Sequence, residues 1–194
     1  MLSDVESPPQ FRFSPNAYEL GIIVAEPVRC SCCERDREWR YNGGMYTEKS
    51  DVELCPWCIA DGSAAERFDG SFIDWLDIEG VPDDPDEIEG ATPEPMTVDA
   101  DAAREVATRT PSYPSWQQER WLSHCGLPCA FLGFAGADDL PALLPDPVLT
   151  ADIEGGNGYP ADLLRSHLTR DGDLVGYLFR CLTCDAHRLH IDAS

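Results

Sequence analysis

Cys30-Ser-Cys-Cys33 and, further along, Leu54-Cys-Pro-Trp-Cys-Ile-Ala-Asp-Gly-Ser-Ala-Ala65 hold two Cys-x-x-Cys units, Cys30/Cys33 and Cys55/Cys58, with 21 residues between them. A tetrahedral metal site needs four soft or borderline donors, and one tight Cys-x-x-Cys turn supplies two of them. Two such turns close a structural zinc site with no open position. Cys32 is the spare thiol of the first run and could replace Cys30 or Cys33. The residues between the pairs read as a hairpin: a strand over Arg37 to Tyr41, an Asn42-Gly43-Gly44 turn, then Met45 to Glu48. Ser63-Ala-Ala-Glu66 has the capping-box pattern, so a helix is expected from there to Trp75 or Asp77. Asp61 beside the pair reads as a turn or cap residue. Knuckle, hairpin, knuckle and helix together give a treble-clef-like zinc module.

Outward from this module, an arm over residues 1–28 carries Phe11 and Phe13 in strand-like alternation, then the apolar Gly21-Ile-Ile-Val24 run. Residues 79–97 are acidic and proline-rich, reading as a linker or exposed loop. A helix is expected from Asp99 to Thr108. A second follows over Ser115 to Cys125, with Ser115 and Gln118 as a capping box and the tryptophans Trp116 and Trp121 in its core face. Gly126 and Pro128 would end it and start another helix over Cys129 to Ala135. Short helices are expected at Asp139 to Leu144 and Ala161 to Leu168. Glu154-Gly-Gly-Asn-Gly158 lacks the features of a phosphate loop. Strands Leu174 to Arg180 and His187 to Ile191 flank Cys181-Leu-Thr-Cys184, a third Cys-x-x-Cys unit.

That third pair needs two partners. His124 and Cys125 with Cys181 and Cys184 make a site of three thiolates and one imidazole, stapling the helical middle to the C-terminal hairpin; Cys129 in place of His124 is the alternative. Two structural Zn2+ ions are therefore expected. The fold class is α+β: an N-terminal arm and zinc module over 1–78, the acidic linker or loop over 79–97, and a helical region with a C-terminal zinc-knuckle hairpin over 98–194.

Charge narrows the function. The chain has 194 residues, with 36 acidic against 14 basic side chains and a net charge of −22. Such a field repels phosphate backbones and anionic membranes, so direct nucleic-acid binding is disfavoured, and it attracts basic partners. Solubilising or halophilic acidity is the plainer alternative. Met1 to Pro9 lacks the basic start and apolar core of a secretory leader. No run approaches the ~18 apolar residues of a membrane span. A cytoplasmic location follows, and nine cysteines in a reducing compartment argue for metal over disulfides.

Several stretches together resemble the CbrC family: Leu54 to Ala65, Arg109-Thr-Pro111, Trp116-Gln117, Trp121-Leu122, His124-Cys125-Gly126, Ala130-Phe-Leu-Gly133, Tyr177-Leu-Phe-Arg-Cys181, and the arm Phe11-Arg-Phe13 with Pro15. The resemblance implies a bacterial cytosolic protein connected with the stress response or with tolerance of colicin-type toxins, and it brings no established active site. The chain departs from the family in having Glu34 and Asp185 where Gly commonly follows the second Cys of each knuckle. It also has Cys129 where Ala is common, which favours Cys125 as the ligand, and Asn42-Gly43-Gly44 where the family has Thr-Gly-Pro. The function expected is a zinc-binding protein acting through protein–protein contact, its partner a basic toxin or host factor. The alternative is a metal-dependent hydrolase or nuclease using His187, His190, Asp61 or Asp185 at an open metal position.

Overall fold

The centre of the molecule is a three-stranded antiparallel sheet built from residues expected to be partly helical. A computed structural model describes residues 7–83, 95–155 and 159–194. Its central strand β8 (Leu174–Arg180) lies between β7 (Ala130–Ala135) and β9 (His187–Ala193). Side chains alternate along β8: Val175, Tyr177 and Phe179 join the larger core, while Leu174 and Leu178 pack on the smaller one. On the larger side Tyr113 is the hub, its ring 4.3 Å from Phe131, 5.0 Å from Tyr177 and 5.8 Å from Trp121. The same core continues through Phe13, Ile23, Leu54, Ile59 and Phe72 into the first half of the chain. The other face is covered by α4 (Leu140–Leu143), α5 (Pro147–Gly155) and α6 (Ala161–His167), through Leu140, Leu149, Ile153 and Leu164.

The first half is held by short pieces. Strand β1 (Ile23–Val24) pairs with β4 (Arg40–Tyr41), and β2 (Val28–Arg29) pairs with β3 (Asp36–Arg37). The expected strand over Arg37 to Tyr41 is thus split between two upstream partners, and its hairpin with Met45 to Glu48 does not form; Tyr46 bridges Ser71 instead. After α1 (Pro56–Ala60), Gly62 turns left-handed (φ 83°) and α2 covers only Ser63–Phe68. The Ser63/Glu66 capping box is not made. Ser63 instead donates its backbone N–H to Asp61 Oδ1 at 2.9 Å, the turn role expected of Asp61. Asp69 (φ 45°) ends α2, and a 3-10 turn at Trp75–Asp77 replaces the rest of the expected helix. The helix α3 (Ala100–Arg109) forms as its pattern predicts, capped by Asp99, whose carboxylate accepts from Ala102 N–H at 2.8 Å.

The short helices expected at Asp139 to Leu144 and Ala161 to Leu168 form as α4 and α6, but no helix forms between α3 and α4. Instead of a helix, Ser115 to Cys125 runs extended and ends in β5 (Ser123–His124), paired with β6 (Leu127–Pro128). Long-range bonds outweigh local propensity here: Gln118 reaches Asp77, Gln117 N–H donates to Asp192 Oδ2 at 2.9 Å, and Trp121 exchanges backbone bonds with Asp77 and Glu79. Trp121 is fully buried, but Trp116 is 54% exposed and leaves the core. Cys129 to Ala135 forms no helix either; residues 130–135 are β7. A register shift between Phe131 and Gly133 puts Phe131 and Phe134 on the same aromatic face. Gly133 has φ 135°, and an added Cβ there would sit 3.0 Å from Leu20.

The helix α5 had no sequence signal beyond Pro147 after Asp146. Asp146 accepts from Val148 N–H at 3.0 Å and from His187 N–H at 2.6 Å, tying α5 to β9. Burial pushes its carboxyl up, but these bonds, with the His187 ring and Leu149 N–H, outweigh burial and hold it below its ordinary value. A depressed folded value means the stabilisation is present above the unfolded pKa and is lost as pH falls through the folded one. Asp146→Ala is therefore expected to cost about 1–3 kcal/mol at neutral pH. That difference from the parent should hold down to about pH 5 and shrink below about pH 4. Because the thiols also protonate in acid, the difference between the two proteins in denaturant unfolding is the quantity to follow. A gap that widens in acid would contradict this assignment.

Most of the acidic stretch 79–97, residues 1–6 of the arm, and Gly156 to Gly158 lie outside the described residues. Among the described residues no helix is long and apolar enough to cross a membrane.

Candidate metal centres

Cys30 and Cys33 stand on the turn joining β2 to β3. Its backbone closes through Cys30 N–H to Arg35 O at 3.0 Å and Glu34 N–H to Cys30 O at 2.9 Å. Cys55 sits just before α1 with Pro56 as the first helical residue, and Cys58 follows on that helix. Strand pairing and the helix start bring the donor atoms of Cys30, Cys33, Cys55 and Cys58 within 4.8 Å of one another. Sulfur–sulfur distances are 3.9 Å for Cys30–Cys58, 4.0 Å for Cys33–Cys55 and 3.6 Å for Cys55–Cys58. A tetrahedral site with bonds of about 2.3 Å has sulfur–sulfur edges of about 3.8 Å, so the donor spacing fits such an ion.

The protonation pattern says what that ion would do. The Cys55 thiol bonds to Cys30 and holds Cys30 below its usual value, and the same bond with burial drives Cys55 up. Burial takes Cys58 to about 12. Four clustered thiolates, three of them buried, would repel each other strongly without a cation; a divalent ion removes that penalty and the remaining protons together. Cys32 is not among the four. Its thiol is buried 3.5 Å from Ser63 Oγ.

The second group uses two hairpins. His124, Cys125, Cys181 and Cys184 also place their donor atoms within 4.8 Å of one another. Cys181 and Cys184 occupy the β8–β9 turn, which repeats the first knuckle bond for bond: Cys181 N–H to Ala186 O at 2.8 Å, Asp185 N–H to Cys181 O at 3.1 Å. His124 and Cys125 come from the β5–β6 hairpin, whose two loop residues Cys125 (φ 54°) and Gly126 (φ 75°) both have the positive φ that two-residue hairpins favour. Cys125 lies 3.7 Å from Cys184, and His124 Nδ1 lies 3.3 Å from Cys125 and 3.4 Å from Cys184. Cys181 is buried while Cys125 and Cys184 are exposed. Burial pushes Cys181 up, but N–H groups of Cys184 and Thr183 and the His124 contact outweigh it and bring the thiol to about 6. Cys129 stays outside: it is fully buried, and burial pushes its thiol up to about 12. Either group, four cysteines or three with one histidine, could hold a metal ion.

The residues proposed for an open catalytic metal do not gather. His187 faces Asp146, with Nδ1 at 3.3 Å from Oδ2. His190 stacks on Tyr177 at 5.8 Å. Asp61 caps a turn, and Asp185 sits in the knuckle, 3.9 Å from Arg180. Among the described residues the two sets above are the metal-type clusters.

Comparison with known proteins places the chain. The model of an uncharacterised protein family, UPF0167, matches residues 8–193. The chain belongs to the UPF0167 family. Family proteins of Mycobacterium bovis and Mycobacterium tuberculosis are each 43% identical to it over 95% of this chain and 92% of their own length. One from Pseudomonas aeruginosa is 38% identical over 95% of this chain and 96% of its own. No solved structure matches.

The knuckles show how this UPF0167 chain manages without glycine. Glu34 (φ 56°) and Asp185 (φ 61°) both adopt the left-handed backbone that the turn demands. Glu34 is tied down by Arg67, whose guanidinium also reaches the Cys32 carbonyl. Asp185→Gly is expected to raise stability by about 0.5–1 kcal/mol, because Gly adopts this conformation without the Cβ penalty. Glu34→Gly should gain less, since it also loses Arg67. Thermal unfolding of the metal-loaded proteins checks the order. A loss in Asp185→Gly would mean its carboxylate does something the turn does not require.

Sequence reasoning missed two polar features. One is the half-buried set Glu79, Asp152 and Arg188, which joins segments far apart in the chain. The other is a convergence of Arg35, Arg37 and Arg109 beside Cys33 and Cys58.

Proposed function

We propose that this chain is a zinc-stabilised interaction protein: two structural zinc ions fix its fold, and its acidic surface receives a basic protein partner. The observation carrying the first part is the donor count. Each group offers four side-chain donors at spacings suited to a tetrahedral ion, so the protein itself would fill every position and leave none for a substrate or activated water. On this reading the knuckle of Cys30/Cys33 and the helix start at Cys55/Cys58 form a treble-clef-like module. Zinc is the metal best matched to four thiolates, or three thiolates and an imidazole, without redox chemistry.

The net charge of −22 supports the partner class. The resemblance to the CbrC family supplies a setting, a bacterial cytoplasmic protein of the stress response or of tolerance toward colicin-type toxins, with a basic toxin domain as partner.

Two measurements test the proposal. Elemental mass spectrometry of protein purified without added metal or chelator should find two zinc ions per chain. The purified protein should then retain a cationic nuclease-toxin domain at moderate salt more strongly than lysozyme, a basic protein with no reason to be recognised. Equal retention of both would reduce the acidity to a solubilising surface, and fewer than two zinc ions would remove one of the structural sites.

A further inference from the structure

The two metal centres have similar sulfur spacing but opposite exposure. At the first, Cys30, Cys55 and Cys58 are buried and Cys33 is partly covered. At the second, Cys181 is buried, while Cys125 and Cys184 both stand exposed with their sulfurs 3.7 Å apart. Cys181 is also engaged by the backbone, its sulfur accepting from Thr183 N–H at 3.4 Å. Cys30 is held in the same way by Cys55 N–H at 3.4 Å.

Cysteine oxidation follows access, because the oxidant must reach the sulfur. Of the nine cysteines, Cys125 and Cys184 alone are exposed; Cys32 and Cys129, outside both centres, are buried. The exposed pair comes from separate hairpins, Cys125 from the β5–β6 loop and Cys184 from the β8–β9 turn. A covalent bond between them would join those hairpins as the metal does. Hydrogen peroxide is small and uncharged, so the net charge of −22 does not hold it off.

We propose that Cys125 and Cys184 are a modification site, a thiol pair that hydrogen peroxide oxidises to a disulfide with release of the second centre's metal. The inference rests on the zinc reading above. One exposed thiolate attacks the peroxide: an S–O bond forms, the O–O bond breaks, and the departing hydroxide takes a proton to become water. The other thiolate then attacks that sulfur, forming the S–S bond and expelling a second hydroxide, which also becomes water. Two thiolates together lose two electrons, and one peroxide gains them with two protons from solvent. Metal binding needs thiolates, so His124 and Cys181 remain as two donors where four are required. The sheet behind them is closed by β7, β8 and β9, and Ser123 stays tied to Glu79 and Arg188, so the hairpin keeps its place.

The test treats the full-length, zinc-loaded protein with hydrogen peroxide at neutral pH. A chromogenic chelator follows zinc release, and peptide mass spectrometry maps the disulfides. One zinc ion per chain should leave about tenfold faster than the other, with a Cys125–Cys184 link that a dithiol reverses. Cys129→Ala, which removes a buried thiol outside the centre, should behave as the parent does. Cys125→His keeps a fourth donor but no partner thiol, and His tolerates the positive φ of this position. It should hold its zinc and release it about tenfold more slowly under peroxide. The inference is overturned by no release, by both ions leaving at one rate, or by a link through Cys181 or Cys129 instead. Loss of the link in Cys129→Ala, or release from zinc-loaded Cys125→His as fast as from the parent, also overturns it. Should Cys125→His fail to take up zinc, the parent's release rates and disulfide map decide. Zinc content before oxidation tests the underlying reading separately: fewer than two ions at the start overturns that reading, while the map of the same sample still shows whether Cys125 and Cys184 join.

Discussion

Cys55→Ser is expected to abolish the cooperative unfolding transition of this protein, whereas Cys125→Ser should only lower its midpoint. Cys55 is fully buried, sits at the start of α1, donates its backbone N–H to Cys30 Sγ at 3.4 Å, and lies 3.6 Å from Cys58. Around it the chain has strands of two residues each, β1 to β4, which bury too little by themselves to hold a fold. Structural zinc contributes about 10–16 kcal/mol of apparent binding energy in small finger peptides, as much as the ~5–15 kcal/mol of a whole domain. Losing this ligand also exposes the core that residues such as Ile59 and Phe72 share with Tyr113 and Phe131. Cys125, by contrast, is exposed on a two-residue loop, and the aromatic core behind it is closed by β7, β8 and β9 without metal. Circular dichroism and tryptophan fluorescence on heating, with metal content for each variant, read both outcomes. Equal, modest shifts in the two variants would mean that the first centre does not carry the fold.

The difference between the two centres also marks what the sequence could and could not reveal. Spacing alone brought out Cys30, Cys33, Cys55 and Cys58, because both halves of that set are local turns. Cys181 and Cys184 were equally plain. His124 and Cys125 could be matched to them only by chemistry, and the segment carrying them was misread. Ser115 and Gln118 fit a capping box and Trp121, Leu122 and Cys125 fall at helical spacing, yet Trp121 is held by backbone bonds to Asp77 and Glu79, residues more than forty positions away. Periodicity cannot register such bonds. The same limit made Ala130 to Ala135 read as a helix: a short apolar run fits either state until a neighbour such as β8 claims its edge. The arginine pocket was illegible for another reason. Arg35, Arg37 and Arg109 are scattered in an acidic chain, and only folding sets them side by side.

Arg188 illustrates the same point with a large energetic consequence. It lies on β9 with its side chain 14% exposed, against Asp152 at 16% and Glu79 at 34%. Its Nε donates to both Asp152 oxygens at 3.1 and 2.8 Å, and its two terminal nitrogens reach the Glu79 carboxylate at 2.9 and 3.2 Å. One of them also reaches the Ser123 carbonyl at 2.5 Å, while Glu79 accepts from Ser123 N–H at 2.7 Å. Burial works against the arginine's charge, but the bonds it donates to Asp152 and Glu79 outweigh it and fix the cation. One side chain thereby clamps β9, α5, the segment after the 3-10 turn, and the hairpin that presents His124. Arg188→Ala is expected to cost about 3–5 kcal/mol, because it leaves two carboxylates poorly solvated and unmatched. Arg188→Lys should recover only part of this, since a single ammonium cannot reproduce the planar fork between Asp152 and Glu79. Replacing all three groups together by apolar side chains of similar volume should be milder than Arg188→Ala alone, because no uncompensated charge remains. Denaturant unfolding of the metal-loaded proteins gives the energies, and chelator challenge should show faster metal loss from the second centre in Arg188→Ala as the Ser123–His124 strand loosens. A cost below about 1 kcal/mol, the range of a solvated surface pair, would show that water does the work assigned here to Arg188.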